Sequence, residues 1–189
     1  MLKRPPLWYP EIPLTDFLKK TAKRLHDKYA IVYPVRITYG DFWTRVDRLA
    51  AALADMGIRK GDRVCLFEGN SPEFEIAFNA VISIGAVVVP LNPMSKAMEI
   101  EYVVNDSSAE TIVVRDRLYP KVRKALPSIP SIKKTISIGR SIPHTLSFSR
   151  FVKKYPVKPL SVDINSREDL SVLPYTSGTT GLPKGVMLT

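Results

Sequence analysis

Four short runs constrain this chain more than anything else in it: "RVCLF" at 63–67, "AVVVPL" at 86–91, "ETIVV" at 110–114 and "KKTISI" at 133–138. Each is too short for a helix, the last three are rich in β-branched residues, and the first three are apolar almost without interruption. A strand with one wet face alternates polar and apolar residues. A strand covered on both faces does not need to. Between these runs lie segments of helical spacing long enough to cross back over a sheet. Strand, helix and strand in alternation, with near-continuous strands, predict an α/β fold: a mainly parallel sheet flanked by helices. No internal repeat of fixed period is visible.

The helices carry start and stop signals. In "ITYGDFWTRVDRLAAALADMGI", Thr38 and Asp41 have capping-box spacing, Phe42, Val46, Leu49, Leu53 and Met56 form one apolar stripe, and Gly57 is the stop. Ser71 and Pro72 are placed as N-cap and first-turn proline of a helix whose inward face reads as Phe74, Ala77, Phe78, Val81 and Ile82. "SKAMEIEYVVNDSSA" reads as another helix, "RLYPKVRKAL" as a basic one and "SFSRFVKKY" as a short one. Residues 1–14 are proline-rich and read as extended. "LTDFLKKTAKRLHDKYA" then reads as a helix through to Ala30, with Thr15 as its cap. His26 and His144 read as solvated residues rather than ligands. "PVKPLSVDINSREDL" reads as a connection to a last strand.

Composition narrows the function classes. With 45% hydrophobic and 24% charged residues the chain is expected to fold. The single cysteine, Cys65, excludes an intramolecular disulfide, fits a reducing, cytoplasmic setting and reads as a buried small hydrophobe. "MLKRPPLWYP" lacks the apolar core of a signal peptide. Twenty uncharged residues lie between Glu75 and Lys96, but Asn79, Ser83, Gly85, Pro90, Asn92 and Pro93 interrupt them, and a buried helix followed by a buried strand explains them better than a membrane span. The net charge of +10 is local: residues 115–158 hold twelve lysines or arginines against one acid, Asp116. Such a face could meet an anionic lipid surface or an anionic cofactor, or be solvated surface. Its aromatics do not interleave with the charges, so no nucleic-acid partner is expected.

The stretch "LPYTSGTTGLPKGVMLT" at 173–189 is unlike the rest. Gly178, Gly181 and Gly185 let the backbone turn tightly and approach a ligand. Thr176, Ser177, Thr179 and Thr180 add hydroxyls, and Lys184 adds a compact cation. Successive N–H groups in such a loop can converge on an anion, so the parts describe a polyphosphate cradle. It is not a Walker A loop, because the lysine precedes Gly185 and Val186 follows. Spacing alone leaves a plain glycine-rich turn as the other reading.

"YTSGTTGLPKGVMLT" closely resembles the signature of the adenylate-forming (AMP-binding) superfamily, which includes acyl-CoA synthetases, aryl-CoA ligases, luciferases and the adenylation domains of peptide synthetases. "NSPEF", "GAVVVPLNP" and the helix with Glu99, Ile100, Tyr102 and Asp106 follow in the order typical of fatty acyl-CoA and coumarate-CoA ligases, and the resemblance runs over about residues 36–189. It implies that 1–36 form an N-terminal extension and helix and that 37–189 are the α/β part of the AMP-binding domain, ending just after the phosphate loop. It implies a long-chain-fatty-acid–CoA ligase that uses ATP, Mg2+ and coenzyme A on a fatty acid or related carboxylic acid. By position, Thr176 would contact the magnesium, and Ser177, Gly178, Thr179, Thr180, Gly181 and Lys184 would embrace the β- and γ-phosphates. The adenine-binding segment, the metal-binding glutamate, the ribose-binding aspartate and the catalytic lysine of such enzymes belong further along. These 189 residues alone are therefore expected to be inactive. An aryl-CoA ligase, a peptide-synthetase-type adenylation domain and a non-catalytic basic module, with residues 115–158 touching an anionic membrane, stay open at this point.

Overall fold

A computed structural model describes residues 10–158, 160–176 and 182–189. The chain opens with α1 (Leu14–Arg24) and a small antiparallel pair, β1 (Tyr29–Ile31) and β2 (Ile37–Thr38). α2 (Tyr39–Asp55), β3 (Arg63–Phe67), α3 (Pro72–Ser83), β4 (Val87–Pro90), α4 (Ala97–Ser107) and β5 (Thr111–Arg115) follow. α5 (Tyr119–Ala125), β6 (Lys134–Ile138), β7 (Leu146–Ser147) and α6 (Phe148–Lys154) complete the α/β part. A final hairpin pairs β8 (Tyr175–Thr176) with β9 (Lys184–Gly185).

The sheet has the order β4-β3-β5-β6-β7, and every neighbouring pair is parallel. Both faces are covered, which is why the strands are apolar without alternation. Val64, Leu66, Val88, Val113 and Ile136 face a core shared with α2, α3 and α6. Cys65, Phe67, Val89, Ile112 and Val114 face a second core shared with α4 and α5. Adjacent residues of one strand thus serve opposite layers. On α2, Val46, Leu49 and Leu53 are fully buried, and each is worth about 2 kcal/mol of transfer energy.

Local signals explain most boundaries. Thr38 Oγ1 accepts the Asp41 N–H at 3.1 Å, and Gly57 ends α2 with φ +88°. Ser71 Oγ accepts the Phe74 N–H at 3.1 Å, with Pro72 in the first turn of α3. At the far end of α6, Arg48 Nη1 donates to the Lys153 carbonyl at 2.9 Å and the Val152 carbonyl at 3.3 Å.

Three expectations need correction. α1 begins one residue before Thr15. Pro13 holds the cap position, its carbonyl accepts the Asp16 N–H at 2.9 Å, and Thr15 is buried inside the first turn. The same helix stops at Arg24, and Tyr29–Ile31 pairs as a strand instead of extending it. The expected inward face of α3 holds: Ala77, Val81 and Ile82 are buried, Phe74 and Phe78 pack half-buried against the same core 6.1 Å apart, and Ile76 and Ala80 join them. The basic stretch 115–158 is not one face. α5, with Lys121, Arg123 and Lys124, packs beside α4, whereas α6, with Arg150, Lys153 and Lys154, packs against α2 on the other side of the sheet. Several of its cations are also paired with acids: Lys133 with Glu110, Lys158 with Asp55 and Arg115 with Glu68. No helix among the described residues is long and apolar enough to cross a membrane.

Candidate functional site

The glycine and hydroxyl stretch is joined to the sheet through its flanks. Val172 lies beside Val88 in a parallel bridge, with Val88 N–H donating to Ser171 O at 2.9 Å and Leu173 N–H to Val88 O at 2.8 Å. Leu188 returns antiparallel to Val172, their two N–H···O contacts measuring 3.0 and 3.1 Å. The hairpin therefore extends the sheet beyond β4. Because Val172 runs parallel to β4, the segment from Val172 to Thr176 heads toward the carboxyl ends of the strands, the edge where open α/β sheets bind ligands.

Thr176 and Lys184 are direct register partners at the hairpin mouth, and both are exposed. Among the described residues neither the Thr176 hydroxyl nor the Lys184 ammonium has a partner. Ser177, Gly178, Thr179, Thr180 and Gly181 lie outside the described residues. The opposite face of the hairpin is anchored. Leu173 and Tyr175 pack against the core under α4. The Tyr175 ring crosses Gly185 so closely that a Cβ there would lie 3.3 Å from Cζ and 3.1 Å from Leu173 Cδ1. The Tyr175 hydroxyl donates to Asp106 Oδ2 at 2.5 Å. Burial, then the Asp106 carboxylate, push that hydroxyl well above the ordinary tyrosine value, so it stays a proton donor at neutral pH.

A hydroxyl and an ammonium set across one strand pair, with glycine-rich backbone between them, suit the oxygens of a phosphate chain. The hydroxyl oxygen also suits Mg2+, which takes few protein ligands and keeps waters and phosphate oxygens, while the ammonium serves the phosphate oxygens alone. Among the described residues no group of three or more His, Cys, Asp or Glu could hold a metal ion.

A charge cluster that the sequence reading did not single out lies elsewhere on the same edge. The strand order reverses between β3 and β5. There Arg115, the last residue of β5, bonds Glu68, the residue after β3, and donates to Glu73 Oε2 at 3.0 Å. Burial lowers the Arg115 pKa, but the Glu68 and Glu73 carboxylates outweigh it and hold the guanidinium charge more firmly. The ligand crevice typical of such a reversal is thus spanned by ion pairs, and the β8–β9 hairpin joins the sheet on the other side of β4. The signal was present: "RVCLFE" and "TIVVR" each end an apolar strand with a charge. His26 lies on the surface, its Nδ1 2.8 Å from Asp27 Oδ1 and its ring packed over Gly40. Its position is structural.

The profile of the AMP-binding family, described as AMP-binding enzyme, matches residues 18–189. The long-chain-fatty-acid–CoA ligase of Bacillus subtilis is 32% identical over 95% of this chain and 37% of its own length. The crystal structure of a long-chain-fatty-acid-CoA ligase from Archaeoglobus fulgidus superposes with a TM-score of 0.89 at 31% identity, over 100% of this chain and 39% of that one. An anthranilate CoA ligase crystallised with anthranoyl-AMP also gives a TM-score of 0.89, at 26% identity, over 94% of this chain and 34% of that one. The chain spans little more than a third of the length of these proteins. Profile, sequence and fold agree: the chain belongs to the AMP-binding enzyme family, matching the N-terminal part of its CoA ligases.

Proposed function

We propose that these residues form the nucleotide-phosphate wall of an AMP-forming acid–CoA ligase. In that reaction a carboxylate oxygen attacks the α-phosphorus of ATP, the bond to the β,γ-phosphates breaks, and pyrophosphate leaves. The thiolate of coenzyme A then attacks the acyl carbon and AMP leaves with the acyl–oxygen electron pair. The observation that carries the reading is the placement of Thr176 opposite Lys184, at the carboxyl edge of the sheet, with the glycine and hydroxyl loop between them. Charge builds on the departing pyrophosphate, and donors already fixed around it stabilise that charge without reorganising. In this reading the Thr176 hydroxyl meets the magnesium, while Ser177, Gly178, Thr179, Thr180, Gly181 and Lys184 hold the β- and γ-phosphates. Mg2+ supplies neutralisation of the phosphate oxygens.

We further propose a fatty acid as the acid. Support comes from the similarity to two long-chain-fatty-acid–CoA ligases at 31–32% identity, over 95% and 100% of this chain. An aromatic acid is the second reading, since the fold superposes equally well on that enzyme. The third, a basic module on an anionic membrane, has lost support because the basic residues divide between two layers. The test is acid-dependent pyrophosphate release by the full-length protein over a panel of fatty and aromatic acids. Release with medium- or long-chain acids supports the proposal. Release with aromatic acids alone transfers it to the second reading, and no release with any acid rejects it. We expect the 189-residue chain by itself to show no release and no micromolar ATP binding by isothermal titration.

A further inference from the structure

The β8–β9 ladder is two residues long and joins the sheet through single bridges at Val172. So short a pair of strands does not hold its own geometry in water. Something else must set where Thr176 and Lys184 point. The side chain next to Thr176 does this. Tyr175 lays its ring over Gly185, so one aromatic plane spans both strands of the hairpin. Its hydroxyl reaches Asp106 Oδ2 at 2.5 Å, and the ring of Tyr102, one turn earlier on α4, meets it edge-on at 6.4 Å and 88°.

Asp106 is out of place by the ordinary rules of helices. It stands in the last turn of α4, which ends at Ser107, where the partial negative charge of the helix end disfavours a carboxylate. None of the salt bridges formed among the described residues involves it. Its partner there is the Tyr175 phenol. A carboxylate in such a position makes sense as a fixed acceptor for Tyr175.

We infer that Asp106 is a positioning residue for phosphate binding: with Tyr102 it clamps Tyr175 across Gly185, and so sets the register of Thr176 against Lys184. Asp106 touches neither nucleotide nor metal. It acts through Tyr175. This inference rests on the proposal that the loop binds the phosphates of ATP. It adds that α4 and the hairpin form one mechanical unit. It also gives the glycine at position 185 a reason, since a Cβ there would press on the Tyr175 ring and on Leu173 at 3.3 and 3.1 Å.

The test uses steady-state pyrophosphate release by the full-length protein, with MgATP and the carboxylic acid varied separately. The variants are Tyr175→Phe, Asp106→Ala, Asp106→Asn and the Tyr175→Phe/Asp106→Ala pair. One neutral-to-charged hydrogen bond at a partly exposed site should raise the KM for MgATP about threefold to tenfold in Tyr175→Phe and Asp106→Ala, with the KM for the acid unchanged. Asp106→Asn keeps an acceptor oxygen and should recover part of the loss. The paired variant should be no worse than the worse single one, because both remove the same bond. An unchanged KM for MgATP in Tyr175→Phe overturns the inference, and so do losses that multiply in the paired variant. If Asp106→Ala does not fold, Tyr175→Phe decides alone, since it keeps the ring and removes one oxygen. If the parent protein releases no pyrophosphate with any acid, the phosphate reading falls and this inference falls with it.

Discussion

Removing Arg115 should damage this fold more than removing any other surface-reaching charge. The Glu68 side chain is 3% exposed, and Arg115 at 20% exposure is the cation that faces it. Arg115→Met keeps most of the aliphatic volume but deletes the charge. Glu68 then retains the Gly69 N–H at 2.9 Å as its one partner among the described residues. Stripping one member from a buried pair costs about 3–5 kcal/mol, and the surviving N–H contact puts the expected loss near the lower end, about 3 kcal/mol. With a urea m-value of about 2 kcal/mol/M, the unfolding midpoint should drop by about 1.5 M at neutral pH. The assay is urea unfolding followed by far-UV circular dichroism and tryptophan fluorescence, with coincident transitions. The Glu68→Leu/Arg115→Met pair removes the stranded charge and should recover at least half of the loss. A drop under about 0.5 M for Arg115→Met, or a pair less stable than the single variant, would refute the view that this cluster is a buried ion-pair brace between β3 and β5.

Cys65 is fully buried, and burial pushes its thiol pKa up to about 12, so it should resist a thiol reagent at pH 8 in the folded protein and react within seconds once urea unfolds the chain. Labelling at the native rate of an exposed cysteine would contradict the packing of β3. Ser71→Ala removes the N-cap acceptor of α3 and should cost about 1 kcal/mol, whereas Ser71→Asp should restore most of it; both are read from urea midpoints. The Lys158 ammonium beside Asp55, the Lys133 ammonium beside Glu110, the Arg140 N–H on Asp116 and the Lys60 ammonium beside Asp169 hold these four carboxyls below their ordinary values. Depressed folded values mean that their contribution is present at neutral pH and is lost as the pH falls through the carboxylate range, so the urea midpoint should fall between about pH 5 and pH 3. Asp55→Asn should flatten that fall, and a midpoint that rises on acidification would oppose the assignment.

The sheet was legible because burial on two faces writes itself into sequence: Val64 and Cys65 are neighbours and face opposite cores, so both must be apolar. Thr38, Ser71 and Gly57 were legible because capping and termination depend on one residue and its near neighbours. Long-range pairings were not. Nothing local announces that Tyr29–Ile31 will leave a helical pattern to meet Ile37–Thr38. Nor does it announce that Arg115 will close on Glu68 across 47 positions. The basic stretch misled for a related reason. Charges close in sequence belong to α5 and α6, and the strands β6 and β7 between the two helices carry them to opposite sides of the sheet. At the candidate site, the residue types of a phosphate cradle were readable, but the clamp under it was not, because Asp106 and Tyr175 are brought together only by the packing of α4 beneath the hairpin.

The central claim is that the hairpin mouth at Thr176 and Lys184 receives the phosphates of ATP during acid activation. Exchange of labelled pyrophosphate into ATP by the full-length protein isolates that half-reaction, because it needs no coenzyme A. Exchange that depends on a carboxylic acid and Mg2+, and that falls about 100-fold or more in Thr176→Val through loss of the hydroxyl oxygen assigned to the magnesium, is the predicted result. Acid-independent exchange, no exchange at all, or full exchange in Thr176→Val would contradict the account.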